Sequence, residues 1–304
     1  MNKLLSVLLF PLGTAMAQAA PPAVVADIAP VHSLVSQVMA GVGTPSLLIR
    51  PGASPHDYAM RPSDARALNA AQIVVWVGPE LTPQLDTQID TLAGGAVSVA
   101  LLDQPGTLRL AVRDAPGFAP HDHDDHVGHD DHDHGAIDPH AWLDPDNARV
   151  WLDAIAQALA DADPDNADAY RANAADSAAR IDALEDDIVT LTDPVRSGSH
   201  IVFHDAYQYF EHRFDLPAAG AISLSDASDP SPSRIAALRQ RIAADDIRCA
   251  LSEPQFNAGL VDAVFEGTDA RSAVIDPLGS ALTPGADLYG DLLRGVARSF
   301  ADCR

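Results

Sequence analysis

The chain has 304 residues and a formal net charge of −24, from 43 acidic and 19 basic side chains. So acidic a surface excludes a nucleic-acid footprint and adhesion to an anionic membrane, and it favours cationic ligands. The length suits two domains.

The N-terminus predicts export. Lys3 precedes an apolar run from Leu4 to Leu12 that only Ser6 and Pro11 interrupt, and Ala15-Met16-Ala17 and Ala17-Gln18-Ala19 fit a small-x-small cleavage site. A cleavable signal peptide over residues 1–19 follows, too short for a membrane anchor. No Cys stands near the cleavage region to carry a lipid, and no later stretch is long and apolar enough to span a bilayer. The mature chain is expected to be soluble, exported and monomeric. Cys249 and Cys303 are the only cysteines. In an oxidising compartment they predict one disulfide, tying an inner strand to the C-terminal tail. Two free buried thiols are the alternative. A metal site on the two thiolates is disfavoured, because no His or Cys neighbours either one.

Strands and helices then alternate. Val24 to Ile28 is an apolar run, and Ala29-Pro30 opens a helix with Val31, Leu34, Val35 and Val38 on one face. Ser46 to Ile49 is a strand, Pro62 to Ala71 a helix, and Ile73 to Val77 a continuous apolar run of the buried parallel kind. Val97 to Leu102 is a further strand. Residues 121–134 contain only His, Asp, one Val and one Gly, so they cannot build a core and are expected to form a disordered loop. Asp163-Pro164 reads as the start of a long helix, with Tyr170, Ala174, Ala178, Ile181, Leu184, Ile188 and Leu191 at helical spacing up to Pro194. The alternation then repeats: strands at 201–203, 218–222, 247–251 and 273–275, and helices at 207–212, 233–244, 260–265 and 287–300. The expected fold class is α/β: two lobes with parallel sheets flanked by helices, joined by one long helix. The N-terminal lobe spans 20–162, the linking helix 163–193 and the C-terminal lobe 194–304. Ligands in such sheets lie beyond the C-terminal strand ends.

Three histidines occupy those ends. His56 follows the strand at 46–49, His140 sits in Asp138-Pro139-His140-Ala141-Trp142, and His204 follows Ile201-Val202-Phe203. Asp276 follows the strand at 273–275. Neutral imidazole is a strong zinc ligand and carboxylate a compatible fourth one. His32, His200 and His212 read as structural. Asp205 and Asp144 are candidates to orient an imidazole or to cap a helix.

Several segments are similar to those of a known family. Gly52-Ala53-Ser54-Pro55-His56-Asp57-Tyr58 with Arg61-Pro62-Ser63-Asp64, then Asp138 to Pro145, then Phe203-His204-Asp205-Ala206-Tyr207 resemble the metal-binding segments of periplasmic zinc-uptake ABC transporter receptors of the ZnuA type. Ser252-Glu253-Pro254-Gln255-Phe256 and Ile275-Asp276-Pro277-Leu278-Gly279 match as well. The resemblance covers essentially the whole mature chain. It implies a periplasmic receptor, not an enzyme, that binds zinc in a cleft between two lobes and delivers it to an ABC importer permease. The family's manganese branch carries Glu at the third ligand position, where this chain has His204. Some zinc receptors of this type have Glu before the first His, where this chain has Pro55. The fourth ligand is therefore open between Asp276, water and a loop His. The family's His-rich loop is present as His121, His123, His126, His129, His132 and His134, an expected accessory zinc site or else a solvated acidic spacer. A manganese or iron receptor of the same architecture and a zinc-scavenging adhesin or storage protein are rival readings. A three-histidine zinc hydrolase is another, with Asp57 or Asp205 as its base.

Overall fold

The computed structural model describes residues 20–113, 136–196, 198–223, 232–245, 247–254, 264–265 and 270–303. The expected signal peptide and the His-rich loop at 121–134 lie outside the described residues, as does most of the helix expected at 260–265.

Two four-stranded sheets, parallel throughout, form the two lobes. The first contains β1 (Val24–Ala26), β2 (Ser46–Leu47), β3 (Ile73–Trp76) and β4 (Val97–Ala100) in the order β2-β1-β3-β4. The second contains β5 (His200–His204), β6 (Gly220–Ser223), β7 (Cys249–Ser252) and β8 (Arg271–Val274) in the order β6-β5-β7-β8. Both orders reverse direction beside the first strand of the lobe, which opens a crevice at its C-terminal end. In the first lobe Asp27 fills that point. It is fully buried, and its carboxylate accepts the Ile28 and Val77 amides at 2.7 and 2.8 Å. Burial pushes its pKa up to about 7, against the pull of those amides.

The helices are α1 (Ala29–Val38), α2 (Pro62–Ala70), α3 (Pro83–Leu92), α4 (Pro145–Ala162), α5 (Ala167–Thr192), α6 (Gln208–Phe214), α7 (Pro232–Ala244) and α8 (Leu288–Asp302). Helices α3 and α4 are additional to the elements expected from the sequence. The signals for α4 are nevertheless local: Asp144 accepts the Asp146 amide as N-cap, Pro145 takes the first turn, and Trp151, Leu152, Ile155 and Leu159 share one buried face. Asp163-Pro164 opens a short 3₁₀ turn, so α5 begins at Ala167. Its 26 residues span about 39 Å. Tyr170, Ala174, Ile181, Leu184 and Ile188 are buried along it, as their spacing requires.

Strand bounds differ from the expected ones by a few residues, and one difference matters. His204 is the last residue of β5, hydrogen-bonded within the ladder, and not part of the following turn. The alternation of β5 places Val202 in the main core and Ile201 and Phe203 in a smaller cluster on the opposite face, with Ile222, Leu238 and Ile242.

The main core is continuous from β1 through α4, α5 and α8 to β7. Directional contacts join the lobes across it. Trp142 Nε1 donates to the Pro277 carbonyl at 2.7 Å, and the Tyr289 hydroxyl donates to the Trp142 carbonyl at 2.9 Å. Ser33 Oγ donates to the Ala286 carbonyl and accepts the Tyr289 amide, both at 3.0 Å. The C-terminal helix thus packs on the N-terminal lobe.

Cys249 and Cys303 form a disulfide with a Cα–Cα distance of 5.3 Å, the bridge expected from the sequence. It clamps the end of α8 to the first residue of β7. Closing a loop of 54 residues stabilises the fold by about 4 kcal/mol in the chain-entropy picture. The Cys249→Ala, Cys303→Ala double variant is expected to lose close to that amount in urea unfolding. A loss under about 1 kcal/mol would show that the unfolded chain is not constrained in this way.

Candidate metal centre

Each histidine reaches the cleft by a different route. His56 is carried by the loop between β2 and α2, in which Gly52 adopts a left-handed φ of 82°. The His56 amide donates to Ser54 Oγ, and Gln84 Nε2 of α3 donates to the His56 and Tyr58 carbonyls at 3.3 and 3.2 Å. His140 precedes the 3₁₀ turn Ala141–Leu143, which leads directly into α4. His204 ends β5.

The three imidazoles meet at their Nε2 atoms. His140 Nε2 lies 3.4 Å from His56 Nε2 and 3.3 Å from His204 Nε2. Ring donors of all three lie within 4.8 Å of one another, and among the described residues no other group of three or more His, Cys, Asp or Glu side chains does so. Zinc–imidazole bonds of about 2.0–2.1 Å in tetrahedral array put neighbouring nitrogens about 3.3–3.4 Å apart. The observed separations match that edge length.

Carboxylates fix which nitrogen faces inward. Asp138 Oδ1 lies 2.7 Å from His140 Nδ1 and also accepts the His140 amide at 3.0 Å. Glu253 Oε1 lies 2.5 Å from His204 Nδ1. With Nδ1–H donating to a carboxylate, each Nε2 presents a lone pair. Converging lone pairs repel unless a cation lies between them. Burial pushes Asp138 up to about 7, opposed by the His140 amide and by the charge of Arg113; a cation at the cluster pulls it further down.

Arg113 closes the back of the site. It pairs with Asp205 and, at 2.7 Å, with Glu211, so a segment of the first lobe is tied to the second behind the histidines. Asp205 is therefore engaged by Arg113, and Asp144 caps α4. The carboxylates that orient the imidazoles are Asp138 and Glu253. The first was readable from its place two residues before His140. The second required the β5–β7 pairing. His32 hydrogen-bonds the Pro45 carbonyl, in keeping with a structural role.

The structure does not bring Asp276 into the cluster. Its Oδ1 accepts the Leu278 and Gly279 amides at 3.0 and 2.9 Å, and its Oδ2 accepts the amide and hydroxyl of Ser280, both at 2.6 Å. The four bonds shape the 277–280 turn, which supplies Pro277 and Leu278 to the wall of the site. The space among Pro55, His56, His140, Trp142, His204, Pro277 and Leu278 is about 10 Å³, room for an ion or one water.

The chain has known relatives. The family described as zinc-uptake complex component A, periplasmic (ZnuA) matches residues 24–303. The high-affinity zinc uptake system protein ZnuA of Paracoccus denitrificans is 44% identical over 318 residues, covering 98% of this chain and 97% of the relative. Its namesake from Brucella abortus (strain 2308) is 41% identical over 303 residues, covering 92% of this chain and 91% of the relative. A crystal structure of a ZnuA superposes with a TM-score of 0.77 at 22% identity, covering 93% of this chain and 99% of the other. A manganese-bound periplasmic metal binding protein from Candidatus Liberibacter asiaticus superposes at 0.74 and 19% identity, covering 92% and 98%. At such identities the structural likeness shows the fold alone.

If the carboxylates set the imidazole tautomers, Glu253→Gln and Asp138→Asn should each weaken zinc binding by about 10–100-fold in chelator competition while leaving the fold intact. Unchanged affinity in both would reduce these contacts to packing.

Proposed function

The chain belongs to the ZnuA family of zinc-uptake receptors, and we propose that it captures Zn²⁺ with His56, His140 and His204 and hands it to the permease of an ABC importer. Membership supplies the zinc-uptake role and the transporter partner. The convergence of three Nε2 atoms at tetrahedral spacing carries the assignment of the residues. Water completes the coordination in this reading, with Asp276 shaping the wall instead of ligating. Pro55 lines the space at the position where the resemblance gives some zinc receptors a Glu, which fits a solvent fourth ligand.

Zinc is favoured over manganese by the donor set. Three imidazoles suit zinc, whereas manganese prefers oxygen. In this reading the chain is a binding protein; of the two candidate bases of a hydrolase, Asp57 is exposed and Asp205 is held by Arg113.

The same reading covers the remaining expectations. In this reading the chain is exported to the periplasm through a signal peptide at 1–19 and acts as a monomer. Among the described residues no helix is long and apolar enough to cross a membrane. The lobes are divided at 20–162, 163–193 and 194–304. His121, His123, His126, His129, His132 and His134 form an accessory zinc loop; its deletion should remove extra equivalents in calorimetry and leave tight binding intact.

The deciding experiment is a competition titration of zinc against manganese. Zinc should win in the wild type, and His204→Glu should shift the preference toward manganese. A wild-type preference for manganese overturns the assignment. Protons compete for the imidazoles, so zinc affinity should fall by about ten-fold or more from pH 7 to pH 5. A constant affinity over that range is incompatible with three histidine ligands.

A further inference from the structure

The carboxylate that holds His140 is itself gripped from the other lobe. Asp138 belongs to a short antiparallel pair, in which Ala111 bridges Ile137 and the Asp138 amide donates to the Leu110 carbonyl at 2.9 Å. Two neighbouring residues of α6 close on that pair from the second lobe. The Tyr209 hydroxyl donates to the Asp138 carbonyl at 2.8 Å and accepts the Leu110 amide at 2.9 Å. Gln208 reaches the same pair with its side-chain amide. Its nitrogen donates to the Ala111 carbonyl and to Asp138 Oδ2, both at 3.1 Å. The opposite orientation would set the amide oxygen against two acceptors, so these contacts fix which way the amide points.

The hold on Asp138 is divided. Its backbone is tied at both ends, by Leu110 at the amide and by Tyr209 at the carbonyl. Rotation of the carboxylate is the freedom that remains. Oδ1 is committed to His140, with Nδ1 at 2.7 Å and the amide at 3.0 Å. Oδ2 takes its hydrogen bond from Gln208. Asp138 is buried, so water does not readily replace a lost partner there. Arg113 acts on the same carboxylate by its charge, but it hydrogen-bonds Asp205 and Glu211. His204 is held differently, by Glu253 of its own lobe. One ring is therefore oriented within a lobe and the other across the interface.

We propose that Gln208 is a positioning residue of the metal centre: by holding Asp138 Oδ2 across the lobe interface it keeps the His140 ring turned to the ion, so that ligation by His140 depends on the docking of the second lobe. The inference rests on the three-histidine reading and deepens it. The contacts run from α6 through Gln208 and Asp138 to Nδ1 of His140, and each link is a hydrogen bond of 2.7–3.1 Å. An opening of the lobes that parts Gln208 from Asp138 frees the carboxylate to turn. The ring then loses the partner that fixes its tautomer and plane. His204 keeps Glu253 in the same motion, so His140 is the ligand that loosens first.

Gln208→Met keeps the length of the side chain and removes the donor. It should weaken zinc binding by about ten-fold in chelator competition, the low end of what loss of an orienting contact costs. In an Asp138→Ala background the same substitution should change affinity by less than about two-fold, because the group it acts through is gone. Proton exchange in the zinc-loaded protein, followed by nitrogen-resolved magnetic resonance, gives the second readout. The His140 Nδ1 proton should exchange with water faster in Gln208→Met, while the His204 Nδ1 proton, held by Glu253, keeps its wild-type rate. Zinc affinity of Gln208→Met equal to wild type overturns the inference. So does an undiminished loss in the Asp138→Ala background, or equal acceleration of both protons, which marks a general loosening of the fold. The three-histidine reading fails by a separate result, namely His140→Ala binding zinc as tightly as the wild type.

Discussion

The structure depends on the orientation of two imidazole rings by two buried carboxylates. Asp138 and Glu253 each hold an Nδ1, and this turns the Nε2 lone pairs of His140 and His204 toward one point that His56 also reaches. Lone pairs held at 3.3–3.4 Å repel one another, and a cation between them turns that repulsion into attraction.

The rest of the chain maintains that geometry. His56 and His140 belong to the first lobe and His204 to the second, so sub-ångström placement requires the lobes to be locked. The Trp142–Pro277 and Tyr289–Trp142 hydrogen bonds, the Arg113 pairs with Asp205 and Glu211, and the continuous core along α5 supply the lock. Such a frame suits capture with little lobe motion.

The two lobes use their equivalent crevices differently. In the first, Asp27 occupies the crevice and ties the ends of β1 and β3 together through backbone amides. In the second, β5 ends in His204 and the chain just beyond β7 reaches Glu253, a candidate ligand and the carboxylate that holds its Nδ1. The same strand order therefore yields a closed structural point in one lobe and half of the metal centre in the other.

The sequence by itself determined the α/β alternation, the long helix, the disulfide and the three histidines. Each of these is encoded locally, by periodicity, by strand-end position or by the presence of only two cysteines. Even α4, additional to the expected elements, has a local record in Asp144-Pro145 and its apolar spacing. Only the tertiary structure decided the rest. Asp276 lies in the expected turn, but the conformation of that turn spends its carboxylate on four hydrogen bonds from residues 278–280. Glu253 reaches His204 across 49 residues, and Arg113 reaches Asp205 across 92. Ligand identity is a property of residue type and position, which a sequence carries. Orientation, partner choice and the size of the space left for the ion depend on contacts between distant segments, and these exist only once the sheets have paired and the lobes have closed on one core.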